Sequence, residues 1–532
     1  MAESTKKQTF LHGTMLLAMS TAIVKVIGAF YSIPLNAIIG EQGFSYYSTA
    51  YEIYTLLLMI STAGLPVAMS RMISQASSLG HYKQVRKIYT VARTIFLSLG
   101  LVGALLMTLF SRQLAAFQEQ PDAWAAIATL GPSCFLICLM STYRGFFQGQ
   151  SNMLPTSVSQ VLESICKLIV GIAAALLLLW YTKSFSLAAG GAIFGVTMSC
   201  LVSSMYLKHC FRKAYKDLPV TEENVTSGKD IAKGLLAIAI PITIGSAGLQ
   251  ILTVLETKIY MSQLLQTLTQ DQADVQKGIY NFTQKIFNMP CAFITPITIS
   301  VIPAITAQLT TGEGKAAKAT EESAVRVTGL ISAPCAVGLA VLAQPVTGLL
   351  GGYTGERLTL AGQLMTIQGV CIIFNSVVLL TNAIMQAHGH VSIPVINMFV
   401  GGVAKLIAVF LLTGNPAFGI LGTPIGSLLC YLAITVLNLI AMKRVLPNAP
   451  AVLRNIGKSV LAALVMGLAV FGALRGLQVL MGPDMSRVLA CGVPILVGVG
   501  VYLLTALKLK AITREDCLLL PKGEKIANFL KL

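Results

Sequence analysis

Fourteen apolar runs, each long enough to cross a bilayer as a helix, alternate with short polar breaks, and nothing else in the 532-residue chain narrows its fold so far. About 20 helical residues cover the hydrocarbon layer. The runs lie at roughly 13–38, 44–70, 88–110, 123–147, 153–181, 185–208, 232–262, 278–308, 319–345, 358–387, 391–413, 418–442, 456–480 and 486–507. Only 11% of residues are charged and the mean hydropathy is +0.75, where a soluble domain carries about 25% charge. The expected fold is an all-α polytopic membrane protein of fourteen transmembrane helices. The polar start, Met1 to Gln8, runs into a long first apolar run with no small-residue cleavage site, so that run stays as a span.

The basic residues set the sidedness. With the N-terminus inside, loops and tails on that side hold 27 Lys and Arg, the other side holds six, and five lie within spans. That bias puts both termini in the cytoplasm. It also turns the net charge of +17 toward anionic membrane lipid and away from nucleic acid.

The longest polar break, 211–228, divides the chain near its middle. A shift of about 237 residues lays Leu65-Pro66-Val67-Ala68 over Ile302-Pro303-Ala304-Ile305. It also brings Gln148 to Gln386, Pro155 to Pro394 and Lys167 to Lys405 within one or two positions. Two parallel six-span lobes are expected, over 1–218 and 219–445, related by a pseudo-twofold along the membrane normal. Two accessory spans over 446–510 have no counterpart and read as an appendage. An amphipathic cytoplasmic tail over 511–532 lies on the membrane surface, with Ile526, Phe529 and Leu530 on one face.

Charges inside the spans are the strongest functional signal. They are Lys25, Glu52, Glu163, Lys167, Glu256, Lys258, Lys285 and Lys405. Unpaired at mid-bilayer, eight such charges cost about 20–28 kcal/mol, so they must face partners or water. Glu163 and Lys167 stand at i and i+4 and are expected either to pair with each other or to serve a cavity. Lys258 lies near a span end, where it either snorkels to the interface or faces a cavity. Lys25 sits mid-span with no such escape. Five cations against three anions favour an anionic cargo. The substrate-binding set is therefore Lys25, Lys285, Lys405, Lys258 and Lys167, and the carboxylates that could carry a coupling proton or Na⁺ are Glu52, Glu256 and Glu163.

Helix breakers supply the second signal. Gly64 and Pro66 interrupt the second span, and Pro290, Pro296 and Pro303 fall in its repeat mate, the eighth. Proline frees carbonyls and bends helices, which suggests gates that flex at matching places.

Enzyme motifs are missing: no H-E-x-x-H, no nucleophile elbow, no Walker A loop. His388-Gly389-His390 reads as a tight turn, and the 11 Cys read as small buried hydrophobes with no metal site. Without a nucleotide site, active transport has to run on a gradient.

Several stretches match a known pattern: Lys25-Val26-Ile27-Gly28 with Ser32-Ile33-Pro34-Leu35, Ala50-Tyr51-Glu52-Ile53-Tyr54, and Ser61-Thr62-Ala63-Gly64-Leu65-Pro66-Val67-Ala68. Further matches are Tyr143-Arg144-Gly145-Phe146-Phe147-Gln148-Gly149, the segment from Asn288-Met289-Pro290 to Ile302-Pro303, and Leu520-Pro521-Lys522-Gly523-Glu524-Lys525. Over nearly its whole length the chain resembles the stage V sporulation protein B-like branch of the multidrug/oligosaccharidyl-lipid/polysaccharide exporter superfamily, which includes lipid II flippases. The resemblance implies a two-lobed, V-shaped flippase in a bacterial cell membrane. Its cargo would be an undecaprenyl-diphosphate-linked sugar, lipid II foremost, used in peptidoglycan synthesis or sporulation. It implies a cationic central cavity in which Lys25 and Lys285 supply the charges on helices one and eight. Ser32 stands where many branch members have a basic residue, so this cavity is less positive than theirs. Two other classes remain in view: a cation-coupled multidrug exporter of the same superfamily, and a non-transporting scaffold for wall or spore-coat assembly. The expected state is a monomer with no bound cofactor.

Overall fold

The computed structural model describes residues 2–511 apart from 63, 223, 447, 483 and 484. The amphipathic tail therefore lies outside the described residues. Sixteen α-helices account for almost all of the described chain. In order they are α1 (Ala2–Thr62), α2 (Leu65–Ser78), α3 (Tyr82–Leu109), α4 (Ser111–Phe117), α5 (Trp124–Gly149), α6 (Leu154–Thr182), α7 (Phe185–Lys216) and α8 (Gly228–Leu264). They continue with α9 (Gln270–Thr310), α10 (Gly314–Val341), α11 (Ala343–Gly351), α12 (Gly355–Ala387), α13 (Ser392–Thr413), α14 (Gly422–Val445), α15 (Val452–Met481) and α16 (Arg487–Lys508).

Each of the fourteen apolar runs lies on helix. By length and composition, 12 candidate membrane spans are present among the described residues. The chain is thus a multi-pass, all-α membrane protein. The first two runs share α1, which turns at Gly40 with φ 64° and ψ −177°, a backbone state that suits glycine. The second run then ends where its sequence says it should. Helix stops at Thr62, Gly64 forms the bend, and Pro66 falls in the opening turn of α2, where its missing N–H costs nothing. The eighth run behaves differently. Helix α9 passes through Pro290, Pro296 and Pro303 as one 41-residue element, so the matching break expected there is not an interruption of the helix. Neighbouring helices in a membrane can satisfy the carbonyls that proline frees.

Two compact units divide the chain, Met1–Asn281 and Phe282–Leu532. The first reaches past the long polar linker, because α8 packs on α1, α2 and α3. Two backbone approaches make this packing tight. A Cβ on Gly64 would lie 2.1 Å from the Ala239 carbonyl oxygen of α8, and one on Gly278 of α9 would lie 1.9 Å from that of Glu41 on α1.

In the second unit, α15 and α16 are not a loose appendage. Ala462, Ala463, Met466, Val470 and Tyr502 share one buried cluster with Ala333 and Leu342. The Tyr502 hydroxyl donates to the Leu330 carbonyl at 3.0 Å, which ties α16 directly to α10.

Candidate functional site

The buried charges of the first unit collect where the Gly40 turn, the α4–α5 connection, the end of α8 and the start of α9 meet. Lys277 is 0% exposed. Counted by sequence among outer loop cations, it is instead two turns inside α9. Its Nζ donates to Thr49 Oγ1 at 2.5 Å and to Gln120 Oε1 at 3.0 Å. The Thr49 hydroxyl also meets Gln120 Oε1. On its amide side, Gln120 donates to Ser45 Oγ at 2.5 Å and to Asp274 Oδ1 at 2.6 Å. Asp274 takes two more donors, the Tyr46 hydroxyl at 3.0 Å and Gln270 Nε2 at 3.0 Å. An ammonium and a carboxylate withdrawn from water are tolerable only with such full sets of partners.

Two further charges flank this network. Glu52 Oε2 accepts from Thr257 at 2.7 Å. Lys258 pairs with Glu119 at 2.8 Å and lies 5.0 Å from the Phe117 ring centre. Lys258 thus takes neither of the two expected roles, since its ammonium is matched by a carboxylate of the α4–α5 connection. Glu256, next to Thr257, is buried. The N-terminal part of α9 is held further by Gln270, which donates to the Glu119 carbonyl at 2.9 Å.

Deeper along α1, Lys167 of α6 projects among three tyrosines. Its Nζ is 4.6 Å from the ring centre of Tyr51, 5.2 Å from Tyr31 and 5.9 Å from Tyr47. Cation–π contacts of this kind are worth about 2 kcal/mol when desolvated. Glu163 does not pair with Lys167 as the i, i+4 spacing suggests. It pairs with Arg144 of α5 at 2.9 Å, while Arg144 Nε donates to Ser159 Oγ at 3.1 Å. A planar guanidinium offers a carboxylate more directed donors than an ammonium does, and that leaves Lys167 to the rings.

Lys25 stands on α1, but its side chain lies outside the described part of the structure, as does that of Pro296. Lys285 and Lys405 are half-buried and belong to the second unit, on α9 and α13. Pro290 is buried and Pro303 exposed. The second unit also holds an apolar cavity of about 700 Å³ among α9, α10, α11, α15 and α16. Pro290, Leu339, Met466, Ile495 and Val499 are in its wall. No group of His, Cys, Asp and Glu that could hold a metal occurs among the described residues.

Four residues of this region were not among the sequence-derived candidates: Gln120, Arg144, Asp274 and Lys277. Asp274 and Lys277 share an i, i+3 face just ahead of an apolar run, which is the one local signal for them. Nothing local points to Gln120.

A family model described as "Polysaccharide biosynthesis protein" matches residues 10–308. Three Bacillus subtilis (strain 168) proteins are similar over long stretches. Uncharacterized membrane protein YabM is 24% identical over 537 residues, covering 99% of this chain and 97% of its own. Stage V sporulation protein B is 25% identical over 448 residues, covering 83% and 85%. Lipid II flippase MurJ is 25% identical over 416 residues, covering 75% and 76%. Among solved structures, lipid II flippase MurJ in an inward closed conformation superposes with a TM-score of 0.69 at 14% identity, over 92% of this chain and 98% of that one.

Proposed function

The chain belongs to the polysaccharide biosynthesis protein family of the multidrug/oligosaccharidyl-lipid/polysaccharide exporter superfamily, a family of transporters and not enzymes, and from that premise we propose that it flips an undecaprenyl-diphosphate-linked saccharide across a bacterial cell membrane. Lipid II is the first cargo to test. The similarity to lipid II flippase MurJ over three quarters of the chain carries this reading. The surplus of lysine within the spans supports it, because a diphosphate needs cations in the hydrocarbon layer.

In this proposal Lys25 and Lys285 hold the phosphates as point charges, with Lys405 beside them. Lys167 stays with its tyrosines and Lys258 with Glu119, so both are supports and not ligands. The apolar cavity of the second unit receives part of the prenyl chain. The network around Lys277 seals the outer end while the head enters from the cytoplasm, and Gly64 is the bend about which α2 swings. Both termini are cytoplasmic and the unit of transport is the monomer. Two phosphate charges leaving a negative interior gain about 4.6 kcal/mol per 100 mV if unscreened. Glu52 or Glu256 takes a proton or Na⁺ on the return.

Depletion of the protein in cells, followed by measurement of how much lipid II an external probe reaches, tests the reading. Lipid II should become inaccessible from outside. Unchanged accessibility together with a loss of drug resistance would favour the cation-coupled exporter instead.

A further inference from the structure

We infer that the first unit carries a second anion site, separate from the transport path, which takes a phosphate group between the start of α3 and the segment leading into α8. A cavity of about 400 Å³ lies there, walled by Lys83, Arg86, Lys87 and Thr90 of α3 and by residues 225–228. That is within the usual range for a small-ligand pocket, about 300–1,000 Å³. Positions 83, 86, 87 and 90 form a single helix stripe, so three cations and a hydroxyl face the same hollow.

The opposite wall is fixed in place. The Thr226 amide donates to Gln84 Oε1 at 3.0 Å, and the Lys83 amide donates to Thr221 Oγ1 at 3.2 Å. Arg86 Nη2 donates to the Leu218 carbonyl at 2.9 Å, and its guanidinium lies 5.1 Å from the Tyr215 ring centre. The segment from Tyr215 to Gly228 is therefore strapped over the opening turns of α3. Arg86 is committed to that strap. Lys83 and Lys87 are exposed, and neither makes an ion pair among the described residues.

The carboxylate nearest the α8 start, Asp230, is already engaged: Ser227 Oγ donates to it at 2.7 Å and caps its amide. The first turn of α8 is thus satisfied from within, and the attraction for an anion comes from the α3 cations.

The position of the hollow indicates the ligand chemistry. Two candidate spans begin at its walls, Tyr82 and Gly228, so it sits where a membrane meets water. Phosphate groups of anionic lipid lie at that depth, and basic side chains there bind them. A free phosphate would find the same donors. Occupancy would join α3 to the segment that positions α8, the helix packed on α1 and α2. The site is independent of what the protein carries, so its test stands or falls apart from the flippase reading.

The full-length protein in phosphatidylcholine nanodiscs, with phosphatidylglycerol added in steps, provides the assay. Retained phosphatidylglycerol is counted by native mass spectrometry, and hydrogen exchange is followed at 225–228. Phosphatidylglycerol should bind and slow exchange at 225–228. The double variant Lys83→Gln/Lys87→Gln should weaken binding about 30-fold, the size expected of two cations at an anionic surface. The control Lys315→Gln/Arg454→Gln removes two exposed cations elsewhere and should leave both readouts unchanged. Displacement by excess inorganic phosphate would show that the phosphate group suffices; resistance to it would identify the lipid as the ligand. Equal losses in the control, or no phosphatidylglycerol effect at 225–228, would overturn the site.

Discussion

The two compact units bury polar groups in different ways. In the first, formal charges are sunk and matched: Lys277 with Thr49 and Gln120, Asp274 with three donors, Glu163 with Arg144. The second has a counterpart cluster made of neutral amides. Asn438 Nδ2 donates to Thr381 at 2.9 Å and to Asn382 at 2.8 Å, and Asn397 donates to the Asn438 oxygen at 2.8 Å. Beside it lies the apolar cavity, and the buried pair His388–Glu321 closes one end of α12. Neutral amides hold helices together with little penalty when one contact is lost. A buried ammonium makes its contacts all-or-none. The first unit is therefore the part suited to snapping between closed and open, and the second to holding a steady apolar wall.

Substitutions in the two networks should separate these behaviours. Lys277→Ala is expected to have the largest effect, about 3–5 kcal/mol of stability, because it leaves Gln120 and Asp274 short of a partner in a buried site. Unfolding in a denaturing detergent series measures it, and a loss under about 1 kcal/mol would remove the contrast between the units. Gly278→Ala should follow at about 1–3 kcal/mol, since its Cβ meets the Glu41 carbonyl oxygen at 1.9 Å. Gly457→Ala, where nothing lies within 4 Å, should cost nothing measurable in the same series. Asn438→Ala in the amide cluster should cost about 1–3 kcal/mol, and its melting profile should stay cooperative. Glu163→Gln is expected to be smallest, about 1 kcal/mol or less, because the Glu163 and Arg144 side chains keep 27% and 17% exposure.

The helices were legible because an apolar run of bilayer length has few alternatives, and the bend at Gly64 and Pro66 because breakers act locally. Partnerships were less legible. Glu163 and Lys167 look paired on one helix, yet Arg144, 19 positions away, takes the carboxylate. The polar crowd from Gln266 to Lys277 has the composition of a loop. Only the packing of α9 against α1 turns Asp274 and Lys277 inward. The attachment of α8 to the first unit rests on backbone approaches at Gly64 and Gly278, and an isolated glycine does not announce which backbone it will touch. The continuity of α9 through three prolines has the same origin, in neighbours that the local sequence does not name.

The central claim is that lysines in the hydrocarbon layer hold a diphosphate during its passage. Transbilayer movement of lipid II, measured in proteoliposomes containing the purified protein or Lys25→Ala at matched amounts, tests it most directly. The account predicts rapid movement with the native protein and movement at the protein-free rate with Lys25→Ala. Equal movement with both proteins would contradict it.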